Sequence, residues 1–320
     1  MSSDFHIRSL SFKTILLTSV ALLVTGCTPE RDQDELFAPQ GVGVLVVDAV
    51  LIVDQPLPAL LLSRTVAPNE PSTPENSIVS RATVIIEELG SWQMVYRESS
   101  QWPGVYVPEA GLIVDPEKTY ELSVFTEEEE RLTAQTITPP RFSVDAWVMV
   151  DTQSGAVVRQ LRTFTELGNL VYEAPENQLP YAEGILEARF QIDADQGFQL
   201  GVFSLDLDSD YVIDPPFFED EDFEDLERNV SSPAILAEAG TIRLPWFSIY
   251  YEGRHLYKIY RADENWFELL RSIPEGDGGL VFGGNAGDNF NRPAFNIQGG
   301  IGLFGSASVD SVGFYVHPAP

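Results

Sequence analysis

Short apolar runs separated by turn residues make up most of the chain after residue 41. Tyr120–Phe125 alternates apolar and polar positions, as a half-buried antiparallel strand does, and Glu183–Ile192 alternates over a longer span. The runs recur every ~8–12 residues between glycine, proline, asparagine and aspartate, a spacing typical of an all-β sandwich. The predicted strands are Val42–Val47, Leu51–Val53, Ala59–Arg64, Arg81–Glu87, Trp92–Arg97, Val105–Val107, Tyr120–Thr126, Leu132–Ile137, Val144–Val150, Val157–Phe164, Tyr181–Asp193, Phe198–Asp206 and Ser311–Val316.

One segment, Arg254–Ser272, has a helical pattern instead, and Pro274 and Gly276 follow it as stop signals. Its apolar residues recur at helical spacing and predict one packed helix. They are Leu256, Ile259, Tyr260, Phe267 and Leu270.

Two β units are predicted along the chain. Pro139 and Pro140 interrupt the strand pattern, because proline cannot continue a strand ladder, and they mark the boundary. We expect an immunoglobulin-like β-sandwich over residues 41–140 and a second β-rich domain with one packed helix over residues 141–320. Near the end, the glycines of Asn296–Gly305 allow positive φ and close strand approach, and predict a tight loop against the core.

The first 26 residues have the pattern of a bacterial lipoprotein signal peptide. Arg8 and Lys13 precede the apolar run Ile15–Val24, which is shorter than the ~20 residues of a membrane-spanning helix and so disfavours an uncleaved anchor. Small residues then lead to Cys27, the single cysteine and the predicted lipidation site. Residues 27–40 are polar and charged, which predicts a flexible tether. The signal predicts a lipid-anchored protein outside the cytoplasm. The acidic residues just after Cys27 resemble the export signals of surface-exposed lipoproteins in two-membraned bacteria, and the predicted location is the outer membrane, on its periplasmic or cell-surface face.

The charge of the chain limits its partners. Asp and Glu number 49 against 19 Lys and Arg, giving a net charge of -30. Such a chain is repelled by phosphate backbones, so a nucleic-acid partner is excluded. The acids are spread along the chain, which favours a role in solubility over cation binding.

Residue types for acid–base or metal chemistry are sparse. Outside the signal, the histidines are His255, at the start of the predicted helix, and His317, near the C-terminus. We interpret His255 as a capping or surface residue rather than a catalytic base. With Cys27 lipidated, no thiol remains for catalysis or metal binding. No catalytic residue, metal or cofactor is therefore predicted.

Three acidic clusters are weighed as cation sites. Asp206, Asp208 and Asp210 begin like a calcium loop, but Tyr211 stands where glycine is needed and Phe217 where a bidentate glutamate would close it. Asp193 and Asp195 with Gly197 form a shorter version of this motif, and both versions are interpreted as turns at strand ends. The third cluster is the dense run of acids Glu219–Asp225, which is interpreted as a solvated loop.

Aromatic residues are the remaining candidates for binding. Core packing is their commoner fate, but some could form a surface that stacks on a sugar or peptide. The run Leu244–Tyr251 is apolar enough to be a partner site if part of it is exposed. The candidates are Trp92, Trp102, Tyr106, Trp246, Tyr250, Tyr251, Tyr257 and Trp266.

Three sets of motifs carry a family resemblance. The first is Leu45–Leu51 with Pro56–Pro58 and Leu61–Thr65, the second is Arg81–Val84 with Pro103–Tyr106, Lys118–Leu122 and Thr138–Pro140, and the third is Phe295–Gly305. With these motifs the chain resembles the bacterial envelope lipoproteins grouped as domain of unknown function 4249. Members of that family are often encoded beside outer-membrane transporters driven by TonB. The resemblance implies a role beside such a transporter and transfers no site residue.

Together these features predict a non-catalytic accessory or ligand-capture partner of a TonB-dependent transporter, tied to the membrane through lipid on Cys27. Two alternatives stay open. One is a glycan or peptide hydrolase that uses paired carboxylates, because acids are plentiful and spacing in sequence does not give their separation in space. The other is a purely structural or adhesive surface module.

Overall fold

The computed structural model describes residues 42–67, 70–192, 196–212, 228–237, 240–272 and 293–319, without the Phe247 side chain. Its strands are β1 (Leu45–Ile52), β2 (Leu60–Arg64), β3 (Thr83–Glu88), β4 (Trp92–Glu98), β5 (Val105–Pro108), β6 (Thr119–Phe125), β7 (Arg131–Ile137), β8 (Ala146–Val150), β9 (Val157–Gln160), β10 (Gln178–Pro180), β11 (Ile185–Arg189), β12 (Gly197–Ser204), β13 (Asn229–Ser231), β14 (Ile235–Leu236), β15 (Thr241–Leu244), β16 (Gly253–Ala262), β17 (Ile297–Gln298) and β18 (Ile301–His317). The α-helices are α1 (Pro74–Ser77), α2 (Phe164–Leu167) and α3 (Glu264–Ser272). Short 3-10 turns cover Gly168–Glu173, Pro175–Asn177 and Trp246–Ser248.

The strands form two sheets. The large sheet has the order β13-β12-β16-β18-β1-β2-β5-β4-β3-β6-β7-β17, with β10 beside β18 and β14 beside β12, and the small sheet has the order β15-β11-β8-β9. The fold is mainly β and sandwich-like with few helices, which confirms the predicted fold class.

Strand β18 connects the two halves of the large sheet. Its first part pairs in parallel with β1, from Ile301 opposite Val46 to Ala307 opposite Ile52. Its remainder pairs antiparallel with β16 as far as Val316. Phe304 packs in the first core, which is formed mostly by residues 45–134, whereas Val316 packs in the second core, which is formed by residues 147–316. The boundary at Pro139 and Pro140 stays a prediction.

Two predictions on secondary structure were wrong in part. Of the predicted helix Arg254–Ser272, residues 254–262 belong to strand β16, and only Glu264–Ser272 is helical. Residues 301–305 belong to β18 rather than to a loop, although Gly299 and Gly302 have the positive φ that was expected. Strand β16 lies between β12 and β18, and pairing on both sides overrides the helical spacing of its apolar residues.

The second core contains a buried hydroxyl that forms no hydrogen bond within the described residues. The ring of Tyr257, on β16, packs edge-on against Trp147 of the small sheet, with 5.4 Å between centroids. Tyr257 is 0% exposed and its hydroxyl has no partner there. Tyr106 of the first core is equally buried, but its hydroxyl accepts from Ala82 N at 2.9 Å and donates to Val79 O at 3.0 Å.

Tyr257→Phe is therefore expected to raise the free energy of unfolding, by about 1 kcal/mol, because it removes a desolvated polar group without a partner. Tyr106→Phe is the matched control and is expected to lower it by about 1–2 kcal/mol, because it leaves a backbone N–H and a carbonyl unpaired. Urea unfolding of both variants measures the change. A loss of stability in Tyr257→Phe would contradict the expectation.

Candidate functional site

The buried histidine lies in the core rather than at the surface. His255 is on β16 and 1% exposed, so its interpretation as a capping or surface residue was wrong. Its ring stacks on Phe314 with centroids 5.8 Å apart, and its Nδ1 lies 3.0 Å from the Gly253 carbonyl oxygen. Burial lowers its pKa to about 4, so the ring is neutral near pH 7.

The first acid of the calcium-like motif is used by an arginine. The Asp206 carboxylate accepts from Arg254 through its backbone N at 2.7 Å and its Nε at 2.8 Å. These hydrogen bonds hold the pKa of Asp206 below its usual range. Within the described ranges, no group of three or more His, Cys, Asp or Glu side chains is placed to hold a metal ion. Asp193, Asp195 and Glu219–Asp225 lie outside those ranges, as does Cys27.

Among the aromatic candidates, Trp246 lines an open cleft. Tyr106, Tyr251 and Tyr257 are buried. Trp92 and Trp266 are half-buried and pack on Tyr120 and Tyr260. Tyr250 is also half-buried, while Trp102 is exposed. The structure therefore does not bring the candidates together in one surface. Of the apolar run 244–251, the first three residues line the open cleft.

The open cleft lies where the edges of the two sheets meet, and we call it the edge cleft. Its volume is about 370 Å³, within the ~300–1,000 Å³ of ligand sites. The lining is apolar except for one arginine and consists of Ile185, Leu200, Ile235, Arg243, Leu244, Pro245 and Trp246. A second cleft of about 370 Å³ adjoins it, sharing Ile235 and Arg243, and is lined further by Leu236, Ala237, Thr241 and Ile242.

Local sequence explains why these strands meet there. Gly240 has φ +65°, and a Cβ on it would lie 2.1 Å from the Phe190 carbonyl oxygen, so the turn into β15 admits glycine alone without a shift. Ile242 and Leu244 then point into the core, while Thr241 and Arg243 point away from it. Pro245 follows β15 directly and starts the turn that carries Trp246.

The Trp246 indole is held in place by its neighbours. Its Nε1 donates to the Gly184 carbonyl oxygen at 2.6 Å. The ring of Tyr181 meets it edge-on at 5.4 Å, and the Tyr181 hydroxyl lies 3.3 Å from the Trp246 carbonyl oxygen. A fixed aromatic ring beside an open cleft offers contact area with little loss of side-chain entropy on binding.

A cluster of three charges borders the edge cleft. Glu187 is almost fully buried and accepts from Arg189 Nε at 2.7 Å and Arg243 Nε at 2.9 Å. Burial opposes ionisation, but the two arginines outweigh it and hold the pKa of Glu187 below its usual range. The cluster carries one excess positive charge in a chain of net charge -30.

Sequence reasoning identified Trp246 and the run around it but missed Arg243, Glu187 and Ile235. The alternation in Thr241–Leu244 could have placed Arg243 on an outward face. Its pairing with Glu187 depends on the register of β11 and β15, which residue types alone do not give.

The comparisons with known proteins identify a family. The family described as "Domain of unknown function (DUF4249)" matches residues 34–312. A comparison with curated proteins finds no match. In the described part of the chain, no helix has the length and apolar character needed to cross a membrane. The match spans most of the chain, and the chain therefore belongs to this family.

Proposed function

We propose that this member of the DUF4249 family is a lipid-anchored envelope protein that captures a ligand in the edge cleft, as a non-catalytic accessory of a TonB-dependent outer-membrane transporter. The edge cleft carries the proposal, because it combines an apolar lining, a fixed indole and a positively charged border. Lipid on Cys27 would attach the protein that carries this cleft to a membrane.

Capture rather than turnover fits the groups at the site. The carboxylate at the border, Glu187, is enclosed by two arginines and stays ionised without access to a substrate proton. His255 lies in the core, and its low pKa disfavours a role as general base near neutral pH. The residues that line the edge cleft offer contact area and one positive charge, which suits binding.

Photo-cross-linking in intact cells tests the proposal. Leu236 lines the second cleft and is 58% exposed, so a benzoylphenylalanine at this position should form an adduct with the captured partner. Val158 is 61% exposed on β9, the opposite edge strand of the small sheet, and is the matched control. We expect adducts with a TonB-dependent transporter or its cargo from position 236 and not from position 158.

The anchor is tested in the same cells. Cys27→Ser should move the protein from the membrane to the soluble fraction and abolish the transporter adduct. Equal adducts from positions 236 and 158, or adducts only between copies of the chain, would contradict capture and favour a structural or adhesive module. Release of cleaved glycan or peptide by the purified protein would favour the hydrolase instead.

A further inference from the structure

The edge cleft lies beside a strand whose outer side has no partner strand among the described residues. β15 ends the small sheet and pairs only with β11 there. It is joined through residues 237–240 to β14, which in the described part of the chain pairs with β12 alone, at the margin of the large sheet. Unpaired edges of this kind accept an additional strand unless something blocks them.

The direction of the free backbone groups follows from the register. Phe190 N donates to the Gly240 carbonyl oxygen at 2.9 Å, so the backbone groups of Gly240 point toward β11. Backbone groups alternate sides along an antiparallel strand, and the N–H and C=O groups of Ile242 and Leu244 therefore point toward β11 as well. The N–H and C=O groups of Thr241 and Arg243 then point outward, and none of them bonds to a described residue.

The side chains around this edge favour one kind of ligand. Both clefts adjoin β15 and could each take an apolar side chain from a strand lying along it. Arg243 gives its Nε–H to Glu187, and its side chain is 63% exposed, which leaves further N–H groups for an anion. The excess positive charge of the Glu187, Arg189 and Arg243 cluster is complementary to a carboxylate.

We propose that the ligand is an extended polypeptide segment that adds to β15 as a strand, places an apolar side chain beside Trp246 and sets a carboxylate against Arg243. This inference rests on the proposed function and names the chemistry of what the edge cleft captures. A ligand without a peptide backbone would leave the outward groups of Thr241 and Arg243 unused.

The test selects random octapeptides, displayed by messenger RNA, on the full-length protein in detergent. Each amide of the best binder is then N-methylated in turn. Strand pairing uses every second amide of the added strand, so alternate methylations should weaken binding at least about ten-fold while the intervening ones are tolerated. Arg243→Gln should weaken binding about three-fold for the carboxylate peptide and leave its carboxamide analogue unchanged.

Binding that is indifferent to N-methylation, or that shows no alternation, would overturn strand addition. So would a selection that enriches no peptide. The proposed function fails separately, because it depends on the cellular adducts from position 236. If position 236 gives the cellular adducts but the selected peptide tolerates every methylation, the proposed capture stands and strand addition is refuted. The methylation pattern varies the peptide alone, so it does not depend on a variant that folds.

Discussion

Gly302→Ala is expected to lower the free energy of unfolding by about 3–5 kcal/mol, combining backbone strain with a steric clash. Gly302 lies opposite Val47 in the parallel pairing between β18 and β1, one residue after that pairing begins. Its φ is +114°, and a Cβ there would lie 1.9 Å from the Val47 carbonyl oxygen. Backbone cannot rotate away as a side chain can, so β1 and β18 must separate.

Gly90→Ala is the matched control, because Gly90 also has a positive φ, +79°, but nothing lies within 4 Å of the position of its Cβ. It is expected to cost only about 1 kcal/mol, for the backbone conformation alone. The difference between the two variants, measured by urea unfolding, isolates the clash between β18 and β1. Equal losses in both would show that the close approach contributes nothing.

Acidification from pH 7.5 to pH 4 is expected to remove about 3 kcal/mol of stability through His255 alone. Burial lowers the pKa of this histidine to about 4 in the folded chain, against 6.5 when exposed. Hydrogen bonding to Gly253 and the charge of Asp206 raise the pKa and Arg228 lowers it further, but burial is the largest influence.

The direction of this change follows from which state binds the proton at higher pH. Between pH 6.5 and pH 4 the histidine is protonated in the unfolded chain but not in the folded chain, so protonation stabilises the unfolded state. The stability contribution is complete above pH 6.5 and is lost as the pH falls towards 4. The low pKa of Asp206 has the same direction at more acidic pH, whereas burial raises the pKa of Asp310 and gives the opposite direction.

Variants that cannot titrate at this position separate His255 from the carboxylates. His255→Gln and His255→Phe retain every acid of the chain. Between pH 7.5 and pH 4, the free energy of unfolding of each variant should fall by about 3 kcal/mol less than that of the wild type. Urea unfolding at the two pH values gives the comparison, and either variant suffices if the other does not fold. An identical pH dependence in wild type and variant would contradict a neutral, buried His255.

Much of the fold could be predicted from local pattern. The alternation in Tyr120–Phe125 predicted β6, and its Tyr120, Leu122 and Val124 are buried in the first core. Burial of every second residue can be predicted from neighbouring residues, because successive side chains of a strand point to opposite faces. The helix predicted over residues 254–262 was wrong for the same local reason. The spacing of Leu256, Ile259 and Tyr260 is helical, but these residues lie in a strand. The side chains that face inward from this strand are His255, Tyr257 and Ile259.

The sequence by itself determined the strand-rich class, the family likeness and the acidity, because each resides in composition or in adjacent residues. Lipidation at Cys27 stays a prediction. Tertiary structure alone decided that β18 runs continuously from one core to the other, and that Glu187 meets Arg243 across 56 positions. It also decided that the outer edge of β15, beside Trp246, has no partner strand among the described residues. Such features depend on strand order and register. Many registers bury the same apolar faces, and only the pairing of distant backbone groups selects one of them.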